Sequence, residues 1–103
     1  MVHNFKDQSF DELLKENENV VVQYYADWCG PCQMLKPVLE QVSEEMDDVT
    51  FYRIDIEEHR DLAVNAGVQS IPTVVFYKDG NEKSREVGFK PKHLLENWLN
   101  EQK

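Results

Sequence analysis

The sequence predicts an α/β fold in which a central mixed β-sheet of about five strands is flanked by about four helices. Three observations carry that prediction. The run Val20 to Ala26 is β-branched and aromatic with almost no polar alternation, the pattern of a strand covered on both faces, which places it centrally in a parallel sheet. Leu35, Val38, Leu39, Val42 and Met46 are spaced as one face of a long helix. Asp79-Gly80, between two further strand-like runs, is a hairpin signal that makes the sheet mixed.

The remaining elements follow in chain order. Val2 to Phe5 reads as a short edge strand. Ser9 followed by Glu12 has the spacing of a capping box, and Phe10, Leu13 and Leu14 supply a one-sided helical stripe that Asn17 and Asn19 end. Pro37 falls inside the long helix, where it removes a backbone hydrogen bond and predicts a kink. Val49 to Ile56 is a second inner strand, with Phe51 and Arg53 on one face and Tyr52 and Ile54 on the other. His59 to Ala66 predicts a short helix stopped by Gly67. Thr73 to Tyr77 and Glu82 to Val87 form the hairpin, and Leu94, Leu95, Trp98 and Leu99 direct a last helix onto the sheet.

At 103 residues the chain is the size of one domain, and 41% hydrophobic with 30% charged residues is an ordinary globular composition. No stretch approaches the roughly 18 apolar residues of a membrane helix. Met1 leads into Phe5 and the polar run Lys6 to Ser9 without a basic flank or apolar signal core, so a cytoplasmic location is expected. The net charge of −9 and pI near 4.7 repel nucleic acid and anionic membranes, so neither is an expected partner. A monomer is expected.

There are two cysteines, spaced Cys-x-x-Cys. A disulfide-scaffolded domain carries several pairs. A structural zinc site needs four ligands, and His3, His59 and His93 stand singly, away from the cysteines. Haem attachment needs a histidine after the second cysteine, where Gln33 stands instead. What remains is a redox pair, with no metal and no cofactor of its own. His59 and His93 sit near helix starts and read as solvated.

Cys29 falls where a central strand meets a helix, at the carboxyl end of the sheet. Unpaired N–H groups and the positive end of the helix dipole favour a thiolate there, and only the thiolate attacks a disulfide. Cys32, one turn on and deeper among apolar neighbours such as Leu35, is placed to resolve the mixed disulfide that Cys29 forms. Pro31 stiffens the turn and suits a first helical turn because it lacks an N–H.

Trp28-Cys29-Gly30-Pro31-Cys32 matches the signature of the thioredoxin family, and Gly67-Val68-Gln69-Ser70-Ile71-Pro72-Thr73 and Val87-Gly88 resemble that family's proline loop and following glycine. The resemblance implies one thioredoxin domain over residues 1–103 and a reductase of protein disulfides. It also implies recharging by a flavin- and NADPH-dependent thioredoxin reductase. Substrates would be disulfide-bearing proteins such as ribonucleotide reductase, peroxiredoxins or methionine sulfoxide reductase. It further implies a cis Pro72 beside the sulfurs, and a groove made of Trp28, Gly30, Pro31, Ile71, Pro72 and Gly88. Two other functions stay open: a redox-inactive binding or assembly module on the same fold, and an oxidase or isomerase, against which Gly30-Pro31 argues.

The chain departs from the family at Gln23, where most relatives carry a buried aspartate, and at Arg53, where they carry a lysine. An amide cannot accept the resolving thiol's proton. One expectation is that Arg53 points inward and favours the Cys32 thiolate; the other is that Gln23 merely satisfies backbone groups while Arg53 reaches solvent. Tyr25 replaces a common tryptophan, and Gln33 removes a common cation near Cys29.

Overall fold

The computed structural model describes residues 1–103 as a five-stranded sheet with two helices on each face. The elements are β1 (Val2–Asn4), α1 (Phe10–Glu16), β2 (Asn19–Tyr25), α2 (Gly30–Glu45), β3 (Thr50–Asp55), α3 (Arg60–Asn65), β4 (Thr73–Lys78), β5 (Asn81–Val87) and α4 (Lys92–Gln102). The strand order is β1-β3-β2-β4-β5. β2 runs parallel to β3 and antiparallel to β4, so the central strand lies at the junction of a parallel and an antiparallel half.

Alternation along the inner strands divides the core into two layers. Val21, Phe51, Val74 and Phe76 face Leu35, Leu39 and Val42 of α2 and Leu95, Trp98 and Leu99 of α4. Val20, Val22, Tyr24, Ile54, Val75 and Tyr77 face Leu13 and Leu14 of α1 and Ala63 of α3. Both faces of β2 are covered, which is why its sequence shows no polar alternation. Each fully buried leucine or valine contributes about 1.5–3 kcal/mol relative to exposure.

Local signals fix the boundaries. Ser9 caps α1, its Oγ accepting from the Glu12 amide at 3.2 Å. Asn17 ends that helix and donates from Nδ2 to the Leu13 carbonyl at 2.9 Å. Asp79 and Gly80 both have positive φ, 52° and 87°, the requirement of a tight hairpin turn with the right-handed strand twist. The helix α2 continues through Pro37.

Two expectations are corrected. Leu94 is exposed, because it lies 100° around the helix from Leu95, whose stripe with Trp98 and Leu99 meets the sheet. His59 is not solvated: its ring packs edge-on against Phe5, with centroids 5.0 Å apart, and its Nε2 is buried without a hydrogen bond. His93 is exposed, as expected. No helix is long and apolar enough to cross a membrane.

Candidate functional site

β2 ends at Tyr25 in the middle of the sheet, and the chain turns through Ala26, Asp27 and Trp28 into α2. Cys29 is the N-cap residue of that helix, with extended backbone angles of −88° and 110°. Its Sγ accepts from the Cys32 amide at 3.2 Å, satisfying one of the orphan N–H groups of the first turn. Pro31 sits in that first turn, where its missing donor is not needed. Gln33 donates from Nε2 to the Asp27 carbonyl at 3.2 Å, and so fastens the loop that carries Trp28.

Cys29 and Cys32 are joined as a disulfide, with Cα atoms 5.2 Å apart. Cys29 is 5% exposed and Cys32 not at all, so only the first sulfur borders the surface. The cysteines pack with Ala26, Tyr25, Ile56 and Ile71; Leu35, expected beside Cys32, belongs instead to the larger core under α2. Ile56, which the sequence reads only as the end of a strand, also packs against the cysteines. Its amide donates to the Tyr25 carbonyl at 2.9 Å, continuing the β2–β3 pairing to the carboxyl end where the cysteines lie.

The Ile71–Pro72 bond is cis, as the resemblance implies. The Ile71 carbonyl oxygen lies 3.8 Å from Cys29 Sγ, and the Gly88 amide donates to the Pro72 carbonyl at 2.8 Å. Three loops therefore meet at the sulfur. Trp28 is 69% exposed, Gly30 and Pro31 are exposed, Ile71 and Gly88 are half-buried, and Pro72 is buried.

Gln23 and Arg53 are register partners on β2 and β3 and both point toward α2. Gln23 is fully buried, and its Nε2 donates to the Cys32 carbonyl at 3.3 Å. Arg53 is 5% exposed, so the reading in which it reaches solvent is wrong. Its Nε donates to Gln23 Oε1 at 3.2 Å, and its guanidinium lies over the Tyr25 ring, 3.7 Å from the centroid. Tyr25 thus covers a buried cation, a role the sequence did not reveal. Burial pushes the Arg53 pKa down and the Tyr25 pKa up.

Comparison with known proteins agrees with this geometry. The thioredoxin family model matches residues 1–101. The chain is 42% identical to a thioredoxin of Chlamydia pneumoniae, over 97% of each chain. It is 38% identical to a thioredoxin of Mycoplasmoides gallisepticum, over 96% of this chain and 99% of that one. A mutant thioredoxin from Halobacterium salinarum superposes with a TM-score of 0.90 at 34% identity, over 98% of this chain and 89% of that one. The oxidised thioredoxin of Plasmodium falciparum superposes with a TM-score of 0.89 at 28% identity, over 98% and 97%. An exposed-side sulfur capping a helix, a buried partner one turn below and this likeness along the whole chain lead to one conclusion: the chain belongs to the thioredoxin family, and it is a thiol–disulfide oxidoreductase that reduces protein disulfides through Cys29 and Cys32.

Proposed function

We propose that the chain is a cytoplasmic electron carrier, recharged by a flavin- and NADPH-dependent thioredoxin reductase. In this reading its protein substrates dock on Trp28, Gly30, Pro31, Ile71, Pro72 and Gly88. The observation that carries the proposal is Cys29 Sγ at the N-cap of α2, accepting from the Cys32 amide at 3.2 Å. In the reduced protein that amide and the helix terminus favour the Cys29 thiolate over the thiol. A lone pair of exchanging cysteines suits a reducing compartment, which supports the cytoplasmic location.

The exchange runs in two steps. The Cys29 thiolate attacks one sulfur of a substrate disulfide; a mixed disulfide forms and the other substrate sulfur leaves as a thiolate, then takes a proton. Cys32 loses its proton and attacks Cys29 Sγ, giving back the Cys29–Cys32 disulfide and releasing the second substrate thiolate. The exposed indole of Trp28 and the Ile71 backbone offer an extended peptide an apolar platform and hydrogen-bonding edge. Pro72 brings no competing N–H.

The test is reduction of insulin disulfides, first with dithiothreitol and then with thioredoxin reductase and NADPH. Accelerated insulin precipitation in both arms is expected. Acceleration with dithiothreitol alone would contradict the proposed recharging partner, and none in either arm would contradict the exchange activity.

A further inference from the structure

A bulge in β5 turns an arginine toward the loop that faces Cys29. Glu82 pairs with Tyr77 and Ser84 with Phe76, so Lys83 is an extra residue with no register partner on β4. Residues three apart in a regular strand point to opposite faces. The bulge resets that alternation. Glu82, opposite Tyr77, and Arg85, opposite Val75, therefore share the face that carries α1 and α3. There the Arg85 guanidinium forks onto the Glu82 carboxylate, with Nε and Nη2 each donating at 2.6 Å.

The guanidinium so held reaches the end of α3. A helix leaves its last carbonyls without partners of its own. Here the Val68 amide donates to the Ala63 carbonyl and the Gly67 amide to that of Val64, each at 3.0 Å, with Gly67 at a φ of +70°. The next carbonyls go to Arg85: Nη2 donates to Ala66 at 2.7 Å and Nη1 to Gly67 at 3.4 Å. The loop of residues 67–72 departs from this point. Its far end is tied by the Gly88 amide, just past β5, and by the Thr73 hydroxyl, which donates to the Ser70 carbonyl. Between these anchors the amides of Gln69, Ser70 and Ile71 make no hydrogen bond within the protein. A segment so sparsely bonded lies where its ends put it, and what they put in place is the Ile71 carbonyl, 3.8 Å from Cys29 Sγ.

We infer that Arg85, held by Glu82, is a positioning residue for this loop, and that it sets how tightly a protein disulfide docks at Ile71 without itself touching the substrate. β5 thereby fixes the loop at both ends, through Arg85 at the start and Gly88 at the finish. A small disulfide that reaches Cys29 without lying along the Ile71 backbone is indifferent to the anchor. This inference rests on the exchange reading and names a further participant in it.

The test compares two oxidants of the reduced protein, insulin and the small neutral disulfide 2,2′-dithiodipyridine. In Arg85→Met the second-order rate with insulin is expected to fall about fivefold, and that with dithiodipyridine to stay within about twofold. Equal falls with both, or no fall with insulin, overturn the inference, because a merely structural contact lowers the melting temperature without separating the two substrates. Should Arg85→Met not fold, Arg85→Lys decides by the same comparison, with about a threefold loss on insulin expected, since one ammonium cannot fork onto Glu82 and cap α3 together. A second readout uses no substrate. The backbone order parameters of Gln69 and Ile71 are expected to drop from about 0.85 toward about 0.6 in the variant, and unchanged values overturn the inference. Wild-type protein that leaves insulin intact contradicts the exchange reading, while the order parameters judge Arg85 separately.

Discussion

The Gly88 amide donates a 2.8 Å hydrogen bond to the Pro72 carbonyl, tying the end of β5 to the loop whose preceding carbonyl faces Cys29 Sγ. Gly88 can make this turn because its φ is +94°, a conformation that side-chain-bearing residues disfavour. A Cβ there would meet nothing within 4 Å, so the penalty of a substitution is conformational rather than steric.

Gly88→Ala is therefore expected to destabilise the protein by about 1–2 kcal/mol. It should also lower the rate of insulin reduction more than it changes dithiothreitol reduction of the Cys29–Cys32 bond. Denaturant unfolding and the two rates check this; unchanged stability with unchanged rates would separate Gly88 from the groove.

The hydroxyls of Tyr24 and Tyr77 meet at 2.8 Å between β2 and β4 on the α1 face, and burial raises the pKa of both above the usual phenol value, that of Tyr24 well above it. Removing one partner strands the other. Tyr24→Phe is expected to cost about 1–3 kcal/mol, and adding Tyr77→Phe to recover part of that loss. A double-mutant cycle with additive losses would contradict the pairing.

Arg85 clasps Glu82 with two 2.6 Å hydrogen bonds and donates to the Ala66 carbonyl at 2.7 Å, closing the end of α3 against β5. The guanidinium bond holds the Glu82 carboxyl below the ordinary carboxylate value. Its contribution to stability is thus complete above the unfolded carboxylate pKa and fades as pH falls through the lower folded value. Arg85→Met is expected to lose about 1–2 kcal/mol at neutral pH. The difference from wild type should shrink below about pH 4 to what the carbonyl bond alone supplies. A difference that is constant with pH would remove Glu82 from the account.

The elements were legible because their signals are local: the Ser9 cap, the unbroken apolar run of β2, the Asp79-Gly80 turn and the Pro31 start of α2. The sulfur chemistry was legible for the same reason, since a three-residue step and a helix terminus suffice to specify it. What depended on three dimensions was not. Whether Arg53 turns inward rests on Tyr25 lying across it from the neighbouring strand, and no pattern in either strand encodes that contact. The partial burial of the His59 ring rests on Phe5, 54 positions away in the chain. Four closely spaced apolar residues in α4 read as one face, but the stripe that meets the sheet is centred on Leu95 and leaves Leu94 outside.

The division of labour between the two sulfurs is tested most directly by trapping. Cys32→Ser and Cys29→Ser proteins would each be reduced and mixed with a disulfide-bearing protein, then resolved without reductant. Cys32→Ser is expected to accumulate a covalent mixed disulfide through Cys29, and Cys29→Ser to form little. Equal trapping by both, or trapping only through Cys32, would contradict the assignment of the capping sulfur as the attacking one.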